Sequence, residues 1–306
     1  MKNRELLHGM MAHLPTVFRS SGELDELAMR ANIGVLRRSG IRAIYYPGAS
    51  AEFFNLSPQE YRCAIQTFVE EAGADCLKIA GGGWPRLGET LEMAQWLAGS
   101  GVDAFLVILP YFVPLAPAER VECLRQIAAA APALGIIHYN TTYAPAVRCS
   151  CDDYVALQDV SNFWGTKQGS IRQEEWDELR GRTPDMRHLP LDDWLLPAMR
   201  AGGHGSFSLV TSLSPAFALR FFRECDTRNW EQAGRMDAEW RRFIDLVYVP
   251  LSQRGYSDIS VDKACIDCFG VLKAGAPRKP LHSVSSADQD WIREQICRER
   301  YFYSAE

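Results

Sequence analysis

No stretch of this chain strings together the roughly 18 apolar residues that a membrane-spanning helix requires, and no run of Lys and Arg is present to grip nucleic acid. Acidic residues outnumber basic ones, 38 to 33, giving a formal net charge of -5 over 306 residues. The opening Met1-Lys2-Asn3-Arg4-Glu5-Leu6-Leu7-His8 carries charge but lacks the apolar centre of a signal peptide. There is no disulfide framework either: the nine cysteines are odd in number and scattered, in a chain too large to need such staples. Cys149-Ser150-Cys151 and Cys265-Ile266-Asp267-Cys268 lack the matching second pair, with histidine at finger spacing, that a zinc site would show. These absences exclude the membrane, secreted, fibrous and nucleic-acid-binding classes. They predict a cytoplasmic protein with reduced thiols and no metal.

What the chain does have is an ordinary globular balance, 47% hydrophobic and 23% charged residues, enough to bury a sizeable core. Short apolar runs ending in Gly, Pro or Ser alternate with longer segments of helical period. The predicted strands are Met11–Val17, Ala43–Tyr46, Cys76–Ala80, Ala104–Leu109, Gly135–Tyr139, Phe163–Lys167, Arg187–Leu189 and Ser206–Val210, each followed by a helix. Ser57, Pro58 and Glu60 announce one of these helices with a capping box and a proline at its first position. Runs such as Phe105-Leu106-Val107-Ile108-Leu109 do not alternate, as befits parallel strands covered on both faces. Eight such units favour a (β/α)8 TIM barrel over 1–227, with an open doubly wound sheet as the alternative. Residues 228–306 lose the strand rhythm and read as a C-terminal helical region.

In such a barrel the strand C-termini converge on one face, so the residues that close each strand are the ones to inspect. Ser50, Tyr139 and Lys167 stand there. A lysine ending an apolar strand is desolvated, which lowers its pKa and frees a neutral amine as nucleophile, the requirement for an imine with a 2-oxo acid. A neighbouring tyrosine can move protons, and a Gly-started turn with a hydroxyl can hold a carboxylate. The plainer readings remain open: a solvated loop lysine and a half-buried core tyrosine. His138, next to Tyr139, points away from the lumen if Tyr139 points in. His204 reads as a structural hydrogen-bonder, Gly81-Gly82-Gly83 as a strand-to-helix turn with Trp84 beside it, and Trp164 as packing between barrel and helices.

The run Ala43-Ile44-Tyr45-Tyr46-Pro47-Gly48-Ala49-Ser50-Ala51-Glu52-Phe53-Phe54 resembles the glycine-hydroxyl-hydroxyl-glycine-glutamate segment of the dihydrodipicolinate synthase and N-acetylneuraminate lyase superfamily. The likeness continues in order through Pro110-Tyr111, Tyr139-Asn140, Gly165-Thr166-Lys167, Gly202 to Ser208 and Val261-Asp262-Lys263-Ala264-Cys265. It implies a Schiff-base lyase, aldolase or dehydratase, acting on pyruvate or a 2-keto-3-deoxy sugar acid, with no cofactor beyond the covalent imine. Lys167 would form that imine, Tyr139 would serve as acid and base, and Ser50, Ala49, Tyr111 and Ser208 would contact substrate. A homo-oligomer, dimer or tetramer, is implied as well.

Several positions depart from that pattern. Ala49 and Ala51 replace a hydroxyl residue and a glycine, and Phe112 stands where the synthase branch has a second tyrosine. Thr141-Thr142-Tyr143-Ala144-Pro145 lacks the arginine by which lysine-pathway synthases hold a second carboxylate, and Arg148 lies too far along to replace it. The expectation is therefore a lyase outside the lysine pathway. The alternative is an impaired paralogue that binds a 2-oxo acid in a regulatory role.

Overall fold

Apolar runs too short for helices and bounded by Gly and Pro become the inner layer of the protein. In the computed structural model, which describes residues 4–302, eight parallel strands form. They are β1 Gly9–His13, β2 Ala43–Tyr46, β3 Leu77–Gly82, β4 Ala104–Val107, β5 Gly135–Asn140, β6 Phe163–Gln168, β7 Arg187–Leu189 and β8 Gly205–Ser208. The pairing order β7-β6-β5-β4-β3-β2-β1-β8 runs once around a barrel. A parallel bridge between Leu191 and Phe207, with the Phe207 N–H on Pro190 O at 2.9 Å, spans the seam between β7 and β8. The architecture is a (β/α)8 TIM barrel with a C-terminal helical region, not an open sheet.

The outer layer consists of α1 Glu26–Arg38, α2 Pro58–Ala72, α3 Leu87–Ala98, α4 Pro117–Ala130, α5 Cys151–Val155, α6 Gln173–Arg182, α7 Leu195–Arg200, α8 Val210–Leu213 and α9 Pro215–Asp226. The capping box at α2 forms as its sequence predicts, Ser57 Oγ accepting from the Glu60 N–H and Glu60 Oε2 from the Ser57 N–H. β1 starts earlier than its sequence suggests and stops at His13. Pro15 has no N–H to give a ladder, and Thr16 spends its hydroxyl on Ala51 O at 2.5 Å. Among the described residues no helix is long and apolar enough to cross a membrane.

The C-terminal region contains α10 Trp230–Phe243, a π-helical turn Ile244–Tyr248, α11 Val249–Gln253, α12 Asp258–Phe269 and α13 Ser286–Glu299. Every residue of α12 from Ile259 to Ile266 is buried, so this helix is enclosed on all sides. Two polar clasps tie the region to the barrel. Asn32 exchanges hydrogen bonds with Lys273 at 2.7 and 2.9 Å, and Arg278 reaches Glu60 at 2.5 Å while its N–H donates to Glu52 at 2.9 Å. The aromatic rings of Phe243, Phe269, Tyr301 and Phe302 pack together at the far end.

Candidate active site

The aim of Lys167 depends on an irregularity in its strand. Ile136 of β5 pairs with Phe163 of β6, but Ile137 pairs with Gly165, so Trp164 is an inserted bulge residue. Phe163 stacks on Tyr154 of α5, and Thr166 hydrogen-bonds His188 at 2.8 Å, whose ring also neighbours Tyr154. Residues three apart on an unbroken strand face opposite sides. The bulge puts Phe163 and Thr166 on the same outer side and turns Lys167 into the barrel. Gly165 allows β7 to approach, since a Cβ there would lie 1.9 Å from Arg187 O. Trp164 itself does not pack outward: a Cβ on Gly135 would meet its indole at 2.1 Å, on the face of β5 that carries Tyr139.

Tyr139 pairs in register with Lys167. The lysine Nζ lies 4.1 Å from the Tyr139 ring centroid, 4.6 Å from that of Tyr45 and 5.3 Å from that of Phe207. It is 4% exposed. Burial strips the ammonium of water and pulls its pKa down to about 7, while the charges of Asp192 and Asp262 draw it upward. Burial likewise raises the Tyr139 phenol to about 12, with a hydrogen bond to Thr141 acting in the opposite sense. His13, whose ring is 5.6 Å from that of Tyr45, is held down to about 3 by burial and then by the charges of Lys167 and Lys263, so its imidazole is neutral.

Two carboxyl groups complete this layer. Asp192, just past β7, accepts from the Leu209 N–H at 2.7 Å and the Val210 N–H at 3.1 Å, yet burial raises it to about 6. Asp262 on α12 accepts from Tyr248 Oη at 2.8 Å and from the Ser50 hydroxyl, and burial raises it to about 7. Lys167, Tyr139, Ser50, Asp192 and Asp262 line one cavity of about 210 Å³, closed on the tail side by Trp240 and Ile244.

The Ser50 turn has an uneven hydrogen-bond account. The N–H groups of Ala51, Glu52 and Phe53 turn back onto Gly48 and Ala49 carbonyls at 3.1, 2.8 and 3.3 Å. Those of Ala49 and Ser50 donate to no protein acceptor among the described residues. Glu52, fully buried at φ 60°, is 2.5 Å from Lys263 Nζ, at an angle that makes an ion pair more than a hydrogen bond. It braces the turn against α12.

A second cavity, about 340 Å³, adjoins the first: Tyr143 lines both, and Ala49 lines it while Ser50 lines the other. Phe53, Phe54, Ile108, Tyr111, Ala144 and Ile259 form its walls. Among the described residues, no arginine lines either cavity. Arg148 instead donates to Ser170 O at 2.7 Å and borders a separate hollow of about 440 Å³. Asn140 and Gln168 line that hollow, and they alternate with Tyr139 and Lys167, so it lies outside the barrel wall.

The sequence profile described as the dihydrodipicolinate synthetase family matches residues 6–298. The chain belongs to that family. Similar family members include a 4-hydroxy-tetrahydrodipicolinate synthase of Methanothrix thermoacetophila, 28% identical over 96% of this chain and 97% of that one. A probable 5-dehydro-4-deoxyglucarate dehydratase of Methylobacterium radiotolerans is also 28% identical, over 94% and 93%. The Escherichia coli prophage protein YagE, solved with pyruvate, shares the fold at TM-score 0.87 and 19% identity, covering 97% of this chain and 99% of its own. The first two of these relatives carry synthase and dehydratase names, and a solved N-acetylneuraminate lyase of Proteus mirabilis shares the fold at TM-score 0.85 and 19% identity.

The residues singled out from sequence separate in this family member. Lys167, Tyr139 and Ser50 share the first cavity; Ala49 and Tyr111 line the second. Ser208 lines neither: beside the lumen-facing Phe207, its hydroxyl accepts from the Thr211 N–H at 3.2 Å and bonds Asp192, which does line the first cavity. His138 faces outward to Tyr154 Oη at 2.8 Å, and His204 bonds Arg187 at 2.7 Å. Trp84 packs edge-on against Tyr61 and Phe53. Missing from the sequence reading were Tyr45, Tyr143, Asp192, Asp258 and Asp262 as lining residues. Strand alternation points to Tyr45, and the position just after β7 points to Asp192. Asp262 stands within the segment 261–265 that carries part of the resemblance, but nothing local turns it or Asp258 toward the cavity.

Proposed function

We propose that this family member is a Schiff-base lyase that forms an imine between Lys167 and a 2-oxo acid such as pyruvate. The observation that carries the reading is a buried lysine, its pKa drawn to about 7, in one cavity with a buried tyrosine and two buried carboxyl groups, Asp192 and Asp262. The neutral amine attacks the C2 carbonyl, and the carbinolamine loses water to give a protonated imine. The two unspent N–H groups of Ala49 and Ser50 receive the substrate carboxylate. Loss of a C3 proton then gives an enamine. Its C3 bonds to the carbonyl carbon of an aldehyde, whose oxygen takes a proton, and water hydrolyses the imine to release the 4-hydroxy-2-oxo acid and the amine. The reverse sequence is cleavage.

Tyr139 lies over the lysine and is the group that passes protons between amine, carbinolamine and substrate. Ala49 has no hydroxyl to extend that path; the Ser50 hydroxyl with Asp262 behind it supplies a second one. The absence of arginine from both cavities supports an activity outside the lysine pathway, since a second carboxylate would find no cationic partner. Incubation with pyruvate and borohydride tests the reading. A reduced adduct on the Lys167 peptide is the expected result, and an unmodified peptide across a panel of 2-oxo acids overturns it. Turnover abolished by Lys167→Ala would exclude the impaired paralogue.

A further inference from the structure

The second cavity differs from the first in the chemistry of its walls. Phe53, Phe54, Ile108, Tyr111 and Ile259 give it carbon surfaces, and Ala49 and Ala144 keep its floor low. Two of its three polar side chains are already committed. The Thr141 hydroxyl accepts from the Tyr143 N–H at 3.1 Å and bonds Tyr139, and the Tyr143 hydroxyl is held by Asp258. Among the described residues, no side chain charged at neutral pH lines it. A carboxylate or a sugar chain placed here would lose its water and find few partners, whereas a hydrocarbon group would lose water at a gain.

The cavity is also placed for the second half of the reaction. It meets the lysine cavity at Tyr143 and across the Ala49-Ser50 peptide, at the C-terminal end of the strands where an incoming partner must enter. Phe54 and Tyr143 stand about half exposed at its rim, at 47% and 52%. Resting on the imine chemistry assigned above to Lys167, we propose that this cavity receives the aromatic ring of an aryl aldehyde, which the enamine attacks. The product is a 4-aryl-4-hydroxy-2-oxo acid, and in the reverse direction such an acid is cleaved to pyruvate and the aldehyde. The new C3–C4 bond takes its electron pair from the enamine, the aldehyde oxygen takes a proton, and no oxidant or metal enters the balance.

The test has two stages that fail separately. Borohydride trapping with pyruvate alone reports the imine. Condensation is then measured with benzaldehyde, glyceraldehyde and 4-oxobutanoate in turn. The expected result is a kcat/KM for benzaldehyde at least tenfold above that for either polar aldehyde, with Ala144→Arg reducing the benzaldehyde value at least tenfold and narrowing or reversing that preference. If Lys167 is trapped but benzaldehyde is matched by a polar aldehyde, or no aldehyde condenses, the aryl proposal is overturned and the imine reading stands. If no adduct forms with any 2-oxo acid, the imine reading falls first. Trapping in the Ala144→Arg protein separates a folding defect from an altered pocket.

Discussion

Lys167 and Lys263 are both almost fully buried, and the protein treats them in opposite ways. Burial lowers both pKa values, but Lys263 has Glu52 at 2.5 Å, a carboxylate that pulls its pKa back upward. Lys167 has three aromatic rings around its Nζ, and its nearest carboxyl groups are engaged elsewhere, Asp192 by backbone N–H groups and Asp262 by Tyr248. Depth alone therefore does not make a nucleophile. A buried lysine with a carboxylate partner is a strut; one whose partners are rings is an amine.

The sharpest way to break this comparison is Lys167→Ala. It should remove borohydride trapping and lower kcat by about 10⁴-fold or more, read by mass and by steady-state turnover. Tyr139→Phe should keep the adduct but cost about 10² to 10⁴ in kcat. Lys263→Met leaves Glu52 buried without a cation and should destabilise the fold by about 3–5 kcal/mol in a denaturant titration, part of which Glu52→Gln in the same background should restore.

Smaller effects concern pH. Trapping at Lys167 should rise through about pH 7 as the amine loses its proton, then level off. Asp262→Asn removes a charge that raises the lysine pKa, so the midpoint should move to lower pH. Lys167 also leaves a signature in stability. Its folded pKa is lowered from 10.5 to about 7, so between these values the unfolded chain binds more protons, and stability grows as pH rises across that window. Lys167→Met should flatten that slope and, at pH 7, raise the melting temperature by a few degrees while abolishing activity.

The barrel and much of its reactive layer were legible in the sequence because strand ends converge by geometry. Tyr139 and Lys167 close adjacent strands, and the 28-residue interval between them becomes a direct register pair. The position of Ser208 behind the cavity lining follows from alternation as well, since Phe207 beside it takes the inward position. The inward turn of Trp164 does not, because a bulge is a relation between two strands and leaves no mark on one. Asp262 and Asp258 were hidden for a similar reason: α12 is a run of buried residues whose docking over the barrel mouth depends on distant contacts such as Arg278 with Glu60. The apolar character of the second cavity became visible only when Ala49, Ile108, Ala144 and Ile259, drawn from four separate segments, came together.

The single extra residue at Trp164 has a consequence for how such a site can be gained or lost. Downstream of it, the inner and outer faces of β6 are exchanged relative to Phe163. Removing Trp164 would restore a regular ladder and leave Lys167 opposite Tyr139, facing the lumen, whereas removing one residue between the bulge and Lys167 would turn the lysine out toward the helices. The bulge thus takes up one residue without moving the amine, and the aim of Lys167 depends on the count of residues between Gly165 and itself, where an insertion or deletion would act as an on–off change in chemistry on an otherwise intact barrel.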